Sequence, residues 1–141
     1  MTQAAKKMSP EAIEDFASLL KRIENKEASI AIMGMGYVGF PLALATHAQG
    51  YHVIAFDVDE KKVESLKAGK SYLKGIEDES VKTLLANGKF KASTDTNVLQ
   101  EADAILMCVP TPLNKYREPD MSYVEATTAM IAEVLRPGQL V

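Results

Sequence analysis

A chain of 141 residues, 47% hydrophobic and 25% charged, is one globular domain's worth, able to bury about two-thirds of its unfolded surface. These proportions exclude a mainly disordered or membrane-embedded chain, and no apolar run approaches the ~20 residues of a bilayer span. A net charge of -3 leaves no footprint for nucleic acid, and one cysteine, Cys108, forbids an internal disulfide and fits a reducing compartment.

The polar start, Met1 to Lys7, carries neither a signal-peptide nor a transit-peptide pattern, so a cytoplasmic protein without a membrane partner is expected. Ser9-Pro10-Glu11 reads as a helix cap followed by proline at the first helical position. Ile13, Phe16, Leu19, Leu20 and Ile23 then recur at helical spacing. This amphipathic helix is read as a packing lid, with an oligomer contact as the alternative. Residues 1–27, helix and polar hinge, form the leading segment, and residues 28–141 form the main domain.

Ile30-Ala31-Ile32-Met33 reads as an apolar strand that runs into Gly34-Met35-Gly36-Tyr37-Val38-Gly39 and then a helix ending near Gly50. The spacing predicts a dinucleotide-binding turn: Gly34 for the tight bend, Gly36 for close approach of a diphosphate, Gly39 for helix-strand packing. Amides at the new helix's start, those of Tyr37 and Val38 included, would hold the phosphates whatever their side chains. A second strand, Val53-Ile54-Ala55-Phe56, ends in Asp57 about twenty residues on, where a carboxylate binds the adenosine ribose hydroxyls. Such a carboxylate repels a 2′-phosphate, so NAD is favoured over NADP; nearby Lys62 is the one cation that argues otherwise.

Asp59 to Ala68 predicts the second helix of the domain, closed by Gly69. Lys70 to Gly88 then interrupts the expected alternation with a loop, Ser71-Tyr72-Leu73-Lys74-Gly75-Ile76, and a short helix, Glu79 to Ala86. Phe90-Lys91-Ala92 is the third strand, and Asn97 to Glu101 a helical turn. Ala104 to Val109 is the longest apolar run and is expected to be a central parallel strand. Pro110-Thr111-Pro112 fixes a rigid loop at its carboxyl end, where open α/β sheets bind ligands, so Val109, Pro110 and Thr111 are candidate contacts to the nicotinamide side. After a polar excursion, Lys115 to Asp120, comes a helix from Met121 to Leu135 and the start of a strand, Gln139-Leu140-Val141. The fold class is α/β, a Rossmann-type doubly wound parallel sheet of about five strands, truncated at the start of a late strand.

Cys108 lies in an apolar strand and is rejected as a nucleophile, because buried thiols there stay protonated. His47 and His52 sit far along the chain from any paired acid, so neither a metal site nor a triad is expected. Arg117, Glu118 and Asp120 either reach a substrate or a neighbouring subunit, or are merely solvated.

The run Gly34-Met35-Gly36-Tyr37-Val38-Gly39-Phe40-Pro41-Leu42-Ala43, with Asp57-Val58-Asp59 and Cys108-Val109-Pro110-Thr111-Pro112-Leu113, resembles the amino-terminal domain of the UDP-glucose/GDP-mannose dehydrogenase family. Ser71 to Ile76 and Arg117 to Val124 look most like the branch acting on UDP-N-acetylated hexosamines, such as UDP-N-acetylglucosamine or its manno epimer. Met35 and Phe40 stand where leucine is commoner in the family. The resemblance implies two NAD-dependent oxidations of a sugar primary alcohol to a carboxylate, through a thiohemiacetal on a catalytic cysteine. It implies that Tyr37, Val38, Asp57, Lys62 and Thr111 correspond to cofactor contacts. The catalytic cysteine, its lysine, asparagine and aspartate helpers, and a further threonine-bearing strand end fall in family segments downstream of Val141. The chain is therefore expected to be the cofactor half of an oxidoreductase, binding NAD without turnover, with a UDP-sugar substrate and homo-oligomeric assembly belonging to the full-length protein. The rivals are a hydroxyacid dehydrogenase on the same turn, a UDP-glucose or GDP-mannose enzyme, and a stand-alone NAD sensor.

Overall fold

Ser9 Oγ accepts the Ala12 amide at 3.2 Å and Pro10 takes the first helical position, so helix α1 (Pro10–Glu24) begins where the cap dictates. The computed structural model describes residues 9–141, and the polar start before them lies outside the described residues. No residue of α1 is fully buried. Ile23 packs on the core and Arg22 pairs with Asp103, while Ile13, Phe16 and Leu20 face solvent. The helix therefore touches the domain along one edge instead of covering it.

Strands β1 (Ser29–Met33), β2 (His52–Phe56), β3 (Phe90–Ser93) and β4 (Ala104–Met107) form one parallel sheet in the order β3-β2-β1-β4. Helices α2 (Gly39–Ala48), α3 (Glu60–Lys67), α4 (Asp78–Leu85) and α5 (Ser122–Val134) flank it. Because strand side chains alternate between faces, the same strands supply two separate cores. Ile30, Ile32, Val53 and Ala55 pack with Phe40 and Ala43 of α2, Val63 and Leu66 of α3, and Val81 and Leu84 of α4. On the opposite face, Ala31, Met33, Ile54, Phe56 and Ile105 pack with Val98, Leu99 and Ile131. Each fully buried aliphatic or aromatic side chain contributes roughly 1.5–3 kcal/mol, so both faces of the sheet add to its stability.

The fourth strand spans Ala104–Met107, shorter than the expected run to Val109, and among the named strands it has β1 beside it on one side only. Leu140 forms an isolated parallel bridge with Ala104, accepting the Ile105 amide at 2.8 Å and donating to the Asp103 carbonyl at 3.0 Å. Beyond that bridge Leu106 and Met107 are each 39% exposed. Apolar continuity reports a strand made to be covered on both faces, and it does not report position within the sheet.

Asp103, at the entry to β4, is buried and accepts the Ser29 amide at 2.8 Å, with Arg22 of α1 and Arg136 beyond α5 as its ionic partners. This carboxylate joins both ends of the described chain to the sheet. Among the described residues no helix is long and apolar enough to cross a membrane.

Candidate functional site

At the carboxyl end of β1 the chain turns through Gly34, whose φ of +96° is a left-handed conformation that disfavours any side chain. A β-carbon there would sit 2.7 Å from the Cys108 carbonyl oxygen, and one at Gly39 would collide with the Gly34 carbonyl. These two contacts bring α2, the turn and the end of β4 together at backbone distance. Gly36 is different: a β-carbon there meets nothing within 4 Å, because the position opens on a cavity.

That cavity has a volume of about 570 Å³ and lies along the carboxyl edge of the sheet, where Gly34, Gly36, Tyr37 and Val38 line one side. Among the described residues the amides of Gly36, Tyr37 and Val38 have no hydrogen-bond acceptor, and they stand at the amino-terminal end of α2. Orphan donors on a helix's positive end are the chemistry that receives a diphosphate.

Asp57, at the end of β2, is buried and reaches the same cavity. Its Oδ2 accepts the Met35 amide at 2.8 Å and its Oδ1 accepts the Asp59 amide at 2.9 Å. With Lys62 also bonded to Oδ2, it is Oδ1 that retains a further lone pair, so the carboxylate is held rigidly with acceptor capacity for a ribose hydroxyl. Lys62 Nζ lies 3.4 Å from Oδ2 and also lines the cavity. The sequence-predicted pair of glycine turn and carboxylate is thus brought together by direct hydrogen bonding through Met35.

Val109 and Pro110 form the facing wall with Cys108. Burial pushes the Cys108 thiol up from its ordinary pKa, which keeps it in the unreactive protonated form. Thr111 is exposed and lies just past the cavity lining, in the loop that follows. Gly39 lies beneath the turn, in backbone packing, and not on the cavity surface.

Besides Met33, Phe56, Val58 and Asp59 at and just past the strand ends, four lining residues of α5 escaped the sequence reading: Tyr123, Ala126, Thr127 and Met130. Their helical spacing was visible, but an apolar stripe reads the same whether it faces a core or a cavity. His47 is buried with Nε2 2.9 Å from Asn87 Oδ1, and His52 is exposed; neither lines the cavity. Arg117 and Glu118 lie on an exposed loop outside it. Asp120 accepts the Ser122 amide at 3.0 Å, and that bond holds its carboxyl below the usual range. Among the described residues no group of three or more His, Cys, Asp or Glu could hold a metal ion.

The donor set suits a dinucleotide: unspent amides for two phosphates, a fixed carboxylate for a ribose hydroxyl, and a largely apolar wall from Met33, Phe56, Val58 and Met130 for a flat ring. Such a crevice at the carboxyl edge of a parallel sheet belongs to Rossmann-type dinucleotide-binding domains. Comparison with known proteins narrows this class. The model of the UDP-glucose/GDP-mannose dehydrogenase family, NAD binding domain, matches residues 28–141, and the chain belongs to that family.

The UDP-N-acetyl-D-mannosamine dehydrogenase of Escherichia coli K12 is 41% identical over 115 residues, covering 81% of this chain and 27% of that protein. Among solved structures, the UDP-D-ManNAc dehydrogenase of Pyrococcus horikoshii matches with a TM-score of 0.75 at 32% identity, over 80% of this chain and 27% of its own. A ternary complex of GDP-mannose dehydrogenase from Pseudomonas aeruginosa matches with a TM-score of 0.72 at 29% identity, over 76% and 25%. The chain spans about a quarter of the length of these relatives.

Proposed function

We propose that this chain is the cofactor-binding domain of a nucleotide-sugar 6-dehydrogenase acting on a UDP-N-acetylhexosamine. The observation that carries the reading is the hydrogen-bonded pairing of Asp57 with the glycine turn, which sets a ribose acceptor and the free amides on one cavity. Gly34 and Gly39 shape the elbow, and Gly36, Tyr37 and Val38 offer the phosphate-binding amides. Asp57 takes the adenosine ribose with Lys62 beside it, and Val109, Pro110 and Thr111 bound the nicotinamide side. NAD, when bound, supplies the hydride acceptor; the residues of this chain bind it, orient it and shield one of its faces.

The sugar class is supported by the relatives named as UDP-N-acetyl-D-mannosamine dehydrogenases, which are 33–41% identical. In the full-length protein the substrate is the UDP-sugar, the assembly a homo-oligomer, the compartment the cytoplasm and the setting polysaccharide biosynthesis. Residues 1–27 are a leading segment ahead of the cofactor domain, residues 28–141, with Arg22 and Ile23 packed against that domain. Isothermal titration of the chain tests the cofactor reading: NAD binds and NADP binds more weakly. No heat with NAD, or tighter binding of NADP, refutes it. Assay of a full-length protein on UDP-sugars and GDP-mannose with NAD tests the substrate, and preferred oxidation of UDP-glucose or GDP-mannose would overturn the N-acetylhexosamine assignment.

A further inference from the structure

Between α3 and α4, Tyr72 reaches back across 37 residues, and its hydroxyl donates to the Met35 carbonyl at 2.7 Å. Its ring packs on Phe40 of α2, with centroids 5.3 Å apart and planes tilted by 35°. Met35 is fully buried, and its amide is already held by Asp57 at 2.8 Å. Both polar groups of this one residue are therefore fixed from outside the turn. In a trans peptide the carbonyl and the following N–H point in opposite directions. Holding the Met35 oxygen on the Tyr72 side thus aims the Gly36 amide the other way, towards the cavity that Gly36 lines and Tyr72 does not.

We propose that Tyr72 is a positioning residue for diphosphate binding: its hydroxyl clamps the Met35–Gly36 peptide so that the amides of Gly36, Tyr37 and Val38 converge on the cofactor's phosphates. The inference rests on the cofactor reading above. Burial, and then the negative charges of Asp57 and Asp59, push the phenol well above its ordinary pKa, so the hydroxyl remains a donor at any working pH. The segment from Ser71 to Ile76 thereby acquires a role in the site while lying behind it.

Tyr72→Phe keeps the ring and its packing on Phe40 and removes only the donor. The dissociation constants of NAD and ADP-ribose, measured by titration on the whole chain, are expected to rise about tenfold. That of adenosine, which presents a ribose and no phosphate, should stay unchanged by NMR titration, and the thermal melt should stay cooperative. Unchanged NAD affinity overturns the proposal, as does an equal loss for NAD and adenosine, which marks general loosening. Phe40→Leu provides the control: it lowers the melting temperature and leaves the ratio of NAD to adenosine affinity intact. A loss confined to NAD in that variant would assign the effect to packing and overturn the role of the hydroxyl. If the unaltered chain binds neither NAD nor ADP-ribose, the cofactor reading itself fails, an outcome distinct from any behaviour of the variants.

Discussion

The two walls of the crevice are built in opposite ways. On the glycine side, three polar groups of the turn are tied to other elements: the Gly34 amide to Phe56, the Met35 amide to Asp57, the Met35 carbonyl to Tyr72. On the far side, the loop after Pro110 is exposed and bonds chiefly to itself, with Asn114 Oδ1 accepting the amides of Tyr116 and Glu118 at 2.8 and 3.0 Å. The first wall is preorganised from outside and the second is held locally. Preorganisation belongs where the ligand is chemically constant, since ordering the donors in advance removes that cost from binding.

The largest test of this contrast is Gly39→Ala. The new methyl would strike the Gly34 carbonyl, a backbone atom fixed by the sheet, and the loss should be about 3 kcal/mol, read as a large fall in the urea midpoint. A near-normal midpoint would mean the glycine wall yields and is not rigid. Next, Asp57→Asn keeps an acceptor for Met35 while losing the negative charge. NAD affinity should drop by roughly tenfold to a hundredfold, and the preference over NADP should narrow because nothing repels the 2′-phosphate.

Cys108 stands under both walls. Because burial raises its pKa, iodoacetamide at pH 8 should label it several-fold more slowly than the same thiol in unfolded chain, with NAD slowing it further; mass spectrometry reads both rates. The linkage has a definite sign: the folded state disfavours the thiolate, so stability from this group is present at low pH and is lost as pH rises past the unfolded cysteine pKa. The smallest effect is expected on the far wall. Arg117 has a φ of 62° in an exposed loop, so Arg117→Gly should stabilise by about 0.5 kcal/mol and leave NAD affinity alone. A change in affinity would show that this loop, too, is part of the preorganised site.

The glycine wall was legible in the sequence because its demands are steric and local: a bend, a close approach and a carboxylate at fixed spacing. The helices began and ended near their caps for the same reason, with Asp59 capping α3 and Ser9 capping α1. Tyr72 was not legible. Its partner is a backbone carbonyl, which carries no residue identity, and it lies 37 positions away. The α5 contacts were hidden because Tyr123, Ala126, Thr127 and Met130 follow ordinary core spacing. The apolar run of β4 recorded what covers its faces, while its neighbours along the edge, β1 on one side and Leu140 on the other, are set by topology.

That edge has a practical bearing on every titration named above. Past the Leu140 bridge, the outward backbone groups of β4 have no strand beside them among the described residues, and two apolar side chains stand there. A bare ladder of this sort is a template for any extended segment, including the same strand of a neighbouring molecule. In a concentrated sample, sticking would begin at Leu106 and Met107, well before the glycine elbow is disturbed, and a single lysine in place of Met107 should keep the solution clear.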